Sequence, residues 1–305
     1  MTGWHKRFIK SRDGKQLRIG LWDAAPGTPS RGVCVLLGGQ TEFLEKYEEV
    51  AGELAARGFQ VASVDWRGQG GSDRLVPEPL KAHVRDFADY DADLAAFMEQ
   101  IVKPMSAKPP LALAHSMGGH ILMRALHDHP DWFTAAVATA PMMQALTRGY
   151  PPIVARTVCF TENLFGQQDA WVWGMAERDP LKMSFEDNIV TSDRGRFARN
   201  QAYLVAEPDI RLAGPTWGWL EAAYRSMNLA MSSGYPEAIQ TPTLIIGAGH
   251  DRIVETSAAR AFASRLPHGA YLELEDAEHE ILMENDTIRA RFWKAFDEFT
   301  GKFFF

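Results

Sequence analysis

The stretch LALAHSMGGHILMR, residues 111–124, places a serine between a short apolar run and a pattern of helical spacing. Ala114 and Gly118 stand two residues before and two residues after Ser116. A nucleophilic serine on a sharp strand-to-helix turn needs small residues at these positions, because strand and helix approach closely there. The spacing therefore predicts Ser116 as a nucleophile. A helix N-cap is the alternative, since serine is also a favoured cap.

A nucleophilic serine needs a base, and the base needs an orienting acid, because a neutral hydroxyl is a poor nucleophile. Asp251 follows the apolar run LIIGA, and His279 follows the run LELE. The order Ser116, Asp251, His279 is the one that a nucleophile elbow on an α/β sheet requires. We predict these three residues as the catalytic group. His250 beside Asp251 and the nearby Asp276 leave alternatives open, and each residue alone also fits an ordinary loop position.

The tetrahedral intermediate of such a reaction needs two backbone N–H donors. The first predicted donor is the N–H of Met117, directly after the nucleophile. The second is the N–H of Gln40, in the loop that follows the early strand VCVLL. Gly38 and Gly39 before it allow the backbone to turn an amide inward. A simple tightening of the turn is the alternative role of these glycines.

The elements that must position these residues alternate between strands and helices. The N-terminus predicts antiparallel strands with a turn at Asp13-Gly14. Strands are predicted for GVCVLLGG, FQVASVDW, PLALAHS, FTAAVATAP, TPTLIIGAG and AYLELE, with helices between most of them and at the end. Such alternation indicates an α/β fold whose mostly parallel sheet is covered by helices on both faces.

The alternation stops between residues 142 and 235. This segment is rich in tryptophan and methionine and predicts helices and loops without buried strands. We expect a core of residues 1–141 and 236–305, with 142–235 inserted as a mainly helical cap over the edge where α/β sheets bind ligands. Its aromatic and methionine side chains fit both a small core of its own and an acyl-chain channel. A mixture of the two is expected.

Length, charge and cysteine content exclude several classes. The 305 residues suffice for one large core with an insertion, and the net charge of −7 argues against a nucleic-acid partner. Cys34 and Cys159 have no zinc spacing and make no disulfide framework. Neither a secretory signal nor a membrane-spanning run is visible, so a soluble, cytoplasmic protein is expected. No metal site is predicted.

These motifs together resemble the α/β-hydrolases of the monoacylglycerol lipase and bacterial lysophospholipase L2 group. The matching pieces run in order from residue 38 to 286: GGQTEFLEKY, VDWRGQGGSDR, AHSMGG, GAGHDRIV and EHEILMEND. RGQGGSDR, HEILME and the stretch TSDRGRFARNQAYLVAEPDIRLAGPTWGW are more similar to the bacterial lysophospholipase side. Gly38 departs from the histidine that is usual before the glycine of the oxyanion loop.

The resemblance implies hydrolysis of esters of single-chain lipids, lysophospholipids first, without a cofactor. Alternatives are a monoacylglycerol lipase, a general carboxylesterase or carbon–carbon hydrolase on the same fold, and a ligand-binding protein without catalysis. The expected partner is a small ester or single-chain lipid, with transient contact to lipid surfaces as a further option.

Four other features are given structural interpretations. RGQGGSD has the first two glycines of a phosphate loop, but Asp73 stands at the third position, so we interpret it as a structural loop. The histidines of HDHP lie two residues apart and cannot share a helix face, so helix termination explains them better than a metal. His115 is expected to pack within the elbow. Glu42 and Tyr47 either support the oxyanion loop or lie at the surface.

The C-terminal GKFFF leaves aromatic side chains near the chain end. Docking on the protein is the preferred interpretation, and weak contact with a lipid surface is the alternative.

Overall fold

The computed structural model describes residues 3–147, 149–176 and 179–303. Its strands are β1 (His5–Lys10), β2 (Gln16–Trp22), β3 (Gly32–Leu37), β4 (Phe59–Val64), β5 (Lys81–Ala82), β6 (Leu111–His115), β7 (Ala135–Thr139), β8 (Gly214–Pro215), β9 (Thr243–Ala248) and β10 (Gly269–Leu274). Its helices are α1 (Glu48–Ala56), α2 (Ala88–Phe97), α3 (Lys103–Met105), α4 (Ser116–Asp128), α5 (Pro152–Leu164), α6 (Arg194–Ala206), α7 (Trp217–Ala230), α8 (Tyr235–Ala238), α9 (Thr256–Ala263) and α10 (Asp286–Thr300).

Eight strands form one sheet in the order β1-β2-β4-β3-β6-β7-β9-β10. β1, β2 and β4 pair antiparallel, and all other neighbours pair parallel. β6, β7 and β9 are buried along their whole length, as expected for parallel strands covered on both faces. The predicted α/β class with a mostly parallel sheet is confirmed. The carboxyl ends of β3, β6, β9 and β10 lie at one edge, which therefore gathers the loops that follow them.

The predicted hairpin and helices follow the sequence signals closely. The hairpin turns at Gly14, whose φ of 84° lies in the left-handed region that glycine adopts easily. The predicted helix between β4 and β6 is α2, which continues through a π-helical turn at Met98–Val102 into α3. This long helical stretch buries an apolar face against the core.

The segment 142–235 lies in the chain between the neighbouring strands β7 and β9, and contains α5, α6, α7 and two short 3-10 helices. It differs from expectation in one detail, because its two-residue strand β8 pairs with β5. A two-residue strand is too short to produce an alternating pattern. Trp217, Trp219 and Met175 are buried, whereas Trp173 and Met183 are exposed.

The chain end packs on α10 as far as the structure describes it. The Phe303 ring meets the Phe299 ring edge-on at 5.3 Å between centroids. Docking of this aromatic group on the protein is what we expected for GKFFF. Phe304 and Phe305 lie outside the described residues. In the described part of the chain, no helix combines the length and apolarity that crossing a bilayer requires.

Candidate active site

Ser116 stands at the junction of β6 and α4 in a left-handed conformation, with φ of 52°. This conformation is costly for a residue with a side chain, so the surrounding packing must hold it. The tight approach behind it requires glycine, because a Cβ on Gly118 would lie 2.4 Å from the carbonyl oxygen of Gly38. Ser116 does not cap the helix: the N-cap is His115, with no side-chain cap bond. The turn thus presents the Ser116 hydroxyl instead of using it for capping.

The structure brings the three predicted side chains into one hydrogen-bonded row. Ser116 Oγ lies 2.8 Å from His279 Nε2, and His279 Nδ1 lies 2.7 Å from Asp251 Oδ2. The other carboxylate oxygen of Asp251 accepts hydrogen bonds from the N–H groups of Ile253 and Val254, at 2.8 and 2.9 Å. Only 1% of the Asp251 side chain and 6% of the His279 side chain are exposed. The loops carrying these residues are fixed to each other, since the N–H of His250 donates to the Ala277 carbonyl.

The electrostatics of the site favour a charged Asp251 and a neutral His115, the histidine next to the row. Burial alone would raise the pKa of Asp251, but His279 and the two backbone N–H groups outweigh it and lower the pKa. His115, whose ring centroid lies 4.8 Å from that of His279, is buried, and burial lowers its pKa to about 4. A neutral His115 adds no charge that would oppose an imidazolium at His279.

The alternatives for the acid and the histidine lie outside this row. Asp276 is 77% exposed at its side chain and lies 3.6 Å from Arg291. His250 is exposed as well. His115 packs within the elbow as expected, with Nδ1 at 3.1 Å from Thr139 Oγ1.

The predicted oxyanion donors lie on the two sides of this turn. Met117 is in the first turn of α4, where backbone N–H groups have no acceptor within the helix. Gln40 follows Gly39, and a Cβ on Gly39 would lie 3.0 Å from the Cβ of Ser116. The oxyanion loop, residues 38–42, therefore passes directly over the serine. No acceptor for the Gln40 N–H is found among the described residues.

Glu42 and Tyr47 support the oxyanion loop, which was one of the two expected roles. The Glu42 carboxylate accepts hydrogen bonds from the Gly39 N–H and from the Tyr47 hydroxyl. Although burial alone would raise the pKa of Glu42, Lys46 and His115 lower it to about 2. Glu42 therefore stays ionised and holds the loop as a strong acceptor.

Lys46 and Glu280 are site residues that sequence reasoning missed. Lys46 Nζ lies 2.8 Å from Glu42 Oε1 and 2.6 Å from Glu280 Oε1. This buried bridge joins the oxyanion loop to the residue directly after His279. The i, i+4 spacing of Glu42 and Lys46 was a usable signal for the first half of the bridge. The second half joins residues more than 230 positions apart, so nothing local in the sequence indicates it.

The segment 142–235 contacts the loop that carries His279. The Glu280 N–H donates to the Val190 carbonyl at 2.7 Å, and Thr191 Oγ1 donates to the Met283 carbonyl at 2.7 Å. The buried Glu284 accepts hydrogen bonds from the Glu278 N–H and from the Ser192 hydroxyl. The segment and the histidine loop are therefore held together by specific polar contacts.

Comparison with known proteins places this arrangement in a family. Residues 28–286 match the model of the Hydrolase_4 family, described as serine aminopeptidase, S33. This chain belongs to the Hydrolase_4 family. The match to this family covers the loops of all the predicted site residues.

Two curated relatives of this Hydrolase_4 protein have lipid-directed names. It is 34% identical over 266 residues to the lysophospholipase L2 of Escherichia coli (strain K12), covering 85% of this chain and 77% of the relative. It is 24% identical to the monoacylglycerol lipase of Mycolicibacterium smegmatis (strain ATCC 700084 / mc(2)155), covering 83% and 81%. The predicted resemblance to this group is confirmed.

Solved structures support the fold. A soluble variant of monoglyceride lipase from Saccharomyces cerevisiae superposes with a TM-score of 0.75 at 18% identity, covering 98% of this chain and 95% of that chain. Together with the family match, this confirms the predicted α/β-hydrolase fold. The chain is an enzyme of the hydrolase class.

Proposed function

We propose that this Hydrolase_4 protein cleaves carboxylic esters of single-acyl lipids, with lysophospholipids as the first substrate class. The observation that carries the proposal is the row Ser116–His279–Asp251, with hydrogen bonds of 2.8 and 2.7 Å at the edge of the sheet. The names of its relatives, lysophospholipase L2 and monoacylglycerol lipase, support the substrate class.

The acylation step follows from the hydrogen bonds. His279 Nε2 takes the hydroxyl proton as Ser116 Oγ attacks the ester carbonyl carbon. The ionised Asp251 orients the ring through Nδ1 and stabilises the imidazolium that forms. His279 then donates the proton to the departing alcohol, which leaves an acyl group on Ser116.

The N–H groups of Gln40 and Met117 serve as the oxyanion hole in both halves of the cycle. They stabilise the negative oxygen of each tetrahedral intermediate more strongly than the neutral carbonyl. In the second half, His279 takes a proton from a water that attacks the acyl carbonyl carbon, and it returns this proton to Ser116 Oγ as the acyl–Oγ bond breaks and the carboxylic acid leaves. Apart from the substrate and this water, residues of the chain supply every group in the cycle, so the proposal needs neither a metal nor a cofactor.

The segment 142–235 is proposed as a cap between two core parts, residues 1–141 and 236–305. Its contacts with the histidine loop support a place over the site. An acyl chain would lie between the cap and the sheet edge, where burial of methylenes contributes about 0.8 kcal/mol each. Cytoplasmic location and the absence of a nucleic-acid partner stay predictions from the sequence.

We also propose that the cap touches lipid surfaces transiently through α5. Ile153, Phe160 and Leu164 follow helical spacing and are 71%, 59% and 70% exposed. The opposite face of α5 packs on α7, with the buried Cys159 Sγ 3.6 Å from the Trp217 carbonyl oxygen. An uncharged apolar stripe fits the interface of a bilayer, which is where single-chain lipids reside.

The substrate proposal is tested with three esters of one acyl chain: a lysophosphatidylcholine, a monoacylglycerol and a p-nitrophenyl ester. Initial rates are measured with the Ser116→Ala background subtracted, and an aminoacyl p-nitroanilide tests for aminopeptidase activity. We expect kcat/KM for the lysophospholipid to lead by at least about tenfold, which is about 1.4 kcal/mol of transition-state preference. Similar rates for all three esters would contradict head-group recognition and favour a general carboxylesterase. A lead of the monoacylglycerol would favour a monoacylglycerol lipase.

A further inference from the structure

The loop after β4, residues 65–73, holds the oxyanion loop through two consecutive carbonyl groups. Trp66 Nε1 donates to the Gly38 carbonyl at 2.9 Å. Gln69 Nε2 donates to the Gly39 carbonyl at 2.7 Å and to the Glu42 carbonyl at 3.2 Å. Two acceptors at one end of the Gln69 side chain can be satisfied only by its NH₂ group, so its orientation is determined. The sequence of the RGQGGSD motif indicates only a structural loop. In the structure, this loop contacts the oxyanion loop at the candidate site.

Gln69 is itself firmly placed, so it acts as a fixed donor. Its side chain is buried, with 3% of the residue exposed. The Gln69 N–H donates to the Trp66 carbonyl at 3.1 Å, which closes a tight turn. Asp65 anchors the same loop, because Asp65 Oδ2 accepts from the Gly71 N–H at 2.8 Å and from Arg18 Nε at 2.6 Å.

The bond to Gly39 determines where the next N–H points. The described residues contain no cis peptide, and in a trans peptide the C=O and N–H directions are opposite. The Gly39 carbonyl and the Gln40 N–H belong to one peptide plane. Fixing the Gly39 carbonyl toward Gln69 therefore fixes the Gln40 N–H on the other side, away from the RGQGGSD loop.

Without this bond, the Gly39–Gln40 peptide loses the one described hydrogen bond that opposes its rotation. Gly38 and Gly39 have no side chains to restrict φ and ψ. The other side of Gly39 is held separately, because its N–H donates to the Glu42 carboxylate. A rotated peptide would turn a carbonyl oxygen, instead of an N–H, toward the developing negative charge, which destabilises the transition state.

We propose that Gln69 is a positioning residue of the reaction, which holds the Gln40 N–H in the direction that an oxyanion requires. The proposal rests on the proposed function and assigns a purpose to the RGQGGSD loop. In the proposed reaction, Gln69 touches no reacting atom. Its removal should lower kcat and leave KM almost unchanged, because the oxyanion exists only after attack.

The test compares Gln69→Met with a matched control. Methionine has a similar length and no donor, and Gln100→Met removes the same kind of bond, from an exposed Nε2 to the Lys10 carbonyl at 2.8 Å. We expect kcat for a p-nitrophenyl ester to fall about tenfold to a hundredfold in Gln69→Met, less than the loss of a whole oxyanion donor, with KM within about twofold. Gln100→Met should keep the wild-type kcat.

Rates are expressed per folded protein from urea unfolding curves, so that lost stability is not mistaken for lost positioning. Should Gln69→Met not fold, Gln69→Asn replaces it with the same expectation, because its amide is withdrawn by one methylene. A folded Gln69 variant with the wild-type kcat, or with an effect confined to KM, would overturn the assignment. An inactive wild-type protein would instead refute the proposed function itself, so the two failures are distinguishable.

Discussion

The loops at the sheet edge bury hydrogen-bonded polar side chains, whereas helix α5 of the 142–235 segment exposes large apolar ones. Around Ser116, the buried side chains of His279, Asp251 and Glu42 are hydrogen-bonded, and single atoms such as Asp251 Oδ1 accept two hydrogen bonds. On α5, large apolar side chains such as Phe160 and Leu164 face outward. Fixed polar geometry is what a chemical step needs, whereas an exposed apolar face suits contact with variable lipid surfaces. The structure therefore constrains the proposed reaction more narrowly than the proposed substrate.

Within the 142–235 segment, helices α6 and α5 are attached by different kinds of contact. Its helix α6 is held to the core by ion pairs: Arg196 and Arg199 both bind Glu49 of α1, with Nη2–oxygen distances of 2.6 Å. Its helix α5 has no ion pair among the contacts of the described residues. Its inner face instead places Cys159 and Asn163 against the Trp217 carbonyl, and the Arg156 guanidinium lies over the Tyr224 ring of α7. We expect α6 to stay attached under conditions in which α5 changes its contacts.

The largest expected effect comes from substitutions that break the Ser116–His279–Asp251 row. Ser116→Ala should lower kcat for a p-nitrophenyl ester by at least about 10⁴-fold, and Asp251→Asn by about 10³- to 10⁴-fold, because the ring loses its orienting charge. The matched control is Asp276→Asn, which changes the exposed alternative acid and should leave kcat within about twofold. Loss of activity in Asp276→Asn with activity retained in Asp251→Asn would reverse the assignment of the acid.

The next effect concerns the backbone behind the serine. Gly118→Ala places a Cβ against the carbonyl oxygens of Gly38 and Leu37, so we expect about 1–3 kcal/mol of lost stability in urea unfolding. Gly52→Ala is the control: it lies in α1, and its nearest neighbour would be 3.9 Å away. This control should be neutral or stabilising by up to about 1 kcal/mol. Equal stability of the two variants would show that the elbow tolerates more space than the distances indicate.

We expect acid to destabilise the region around the buried histidines His115 and His120 before it breaks the ion pairs of α6. Burial lowers the pKa of His120 to about 3 and that of His115 to about 4, from an ordinary value of 6.5. The unfolded chain therefore binds protons first, and the free energy of unfolding falls as the pH drops from 6.5 toward 4. Burial alone would raise the pKa of Glu49, but hydrogen bonds from Arg196 and Arg199 lower it to about 2, so its ion pairs persist in this range.

The measurement is the slope of unfolding free energy against pH, for wild type and for His120→Asn. We expect the variant to lose about 1–2 kcal/mol of the pH dependence between about pH 6.5 and 4.5. The slope is compared, and not the absolute stability, because the variant also loses the 2.6 Å contact of His120 Nε2 with Ser226 Oγ. An unchanged slope would mean that His120 takes up its proton in the folded protein at the same pH as in the unfolded chain.

The smallest effect concerns the apolar stripe. The triple variant Ile153→Ser, Phe160→Ser, Leu164→Ser should bind phosphatidylcholine vesicles at least about tenfold more weakly, and it should keep its rate on a short soluble ester. The control Val205→Ser with Leu229→Ser removes exposed apolar side chains from α6 and α7 and should bind as wild type does. Unchanged vesicle binding of the triple variant, or a wild-type dimer by gel filtration that the triple variant abolishes, would contradict lipid contact through α5.

The sequence could predict the site residues that a local pattern indicates, and it could not predict contacts between distant loops. Ser116, Asp251 and His279 each follow an apolar strand, and parallel strands bring their carboxyl ends to one edge, so their meeting could be expected. The bridge from Lys46 to Glu280 and the bonds of Gln69 join distant loops, and their residue types are ordinary in isolation. For Glu42 and Tyr47 the sequence allows two roles, because residues on a helix surface and residues that support a loop have the same local pattern. The interior of the 142–235 segment has two predicted roles for the same reason, since tryptophan and methionine suit both a core and a channel.

Whether Ser116 is the nucleophile is tested most directly by covalent labelling of the folded protein with a fluorophosphonate, followed by intact mass and peptide mapping. We expect one adduct on Ser116, no adduct in Ser116→Ala, and much slower labelling in His279→Ala, because the imidazole is the base for attack. Folded wild-type protein that stays unlabelled, or that is labelled at another residue, would contradict the claim that Ser116 is the nucleophile and would revive a ligand-binding role for this fold.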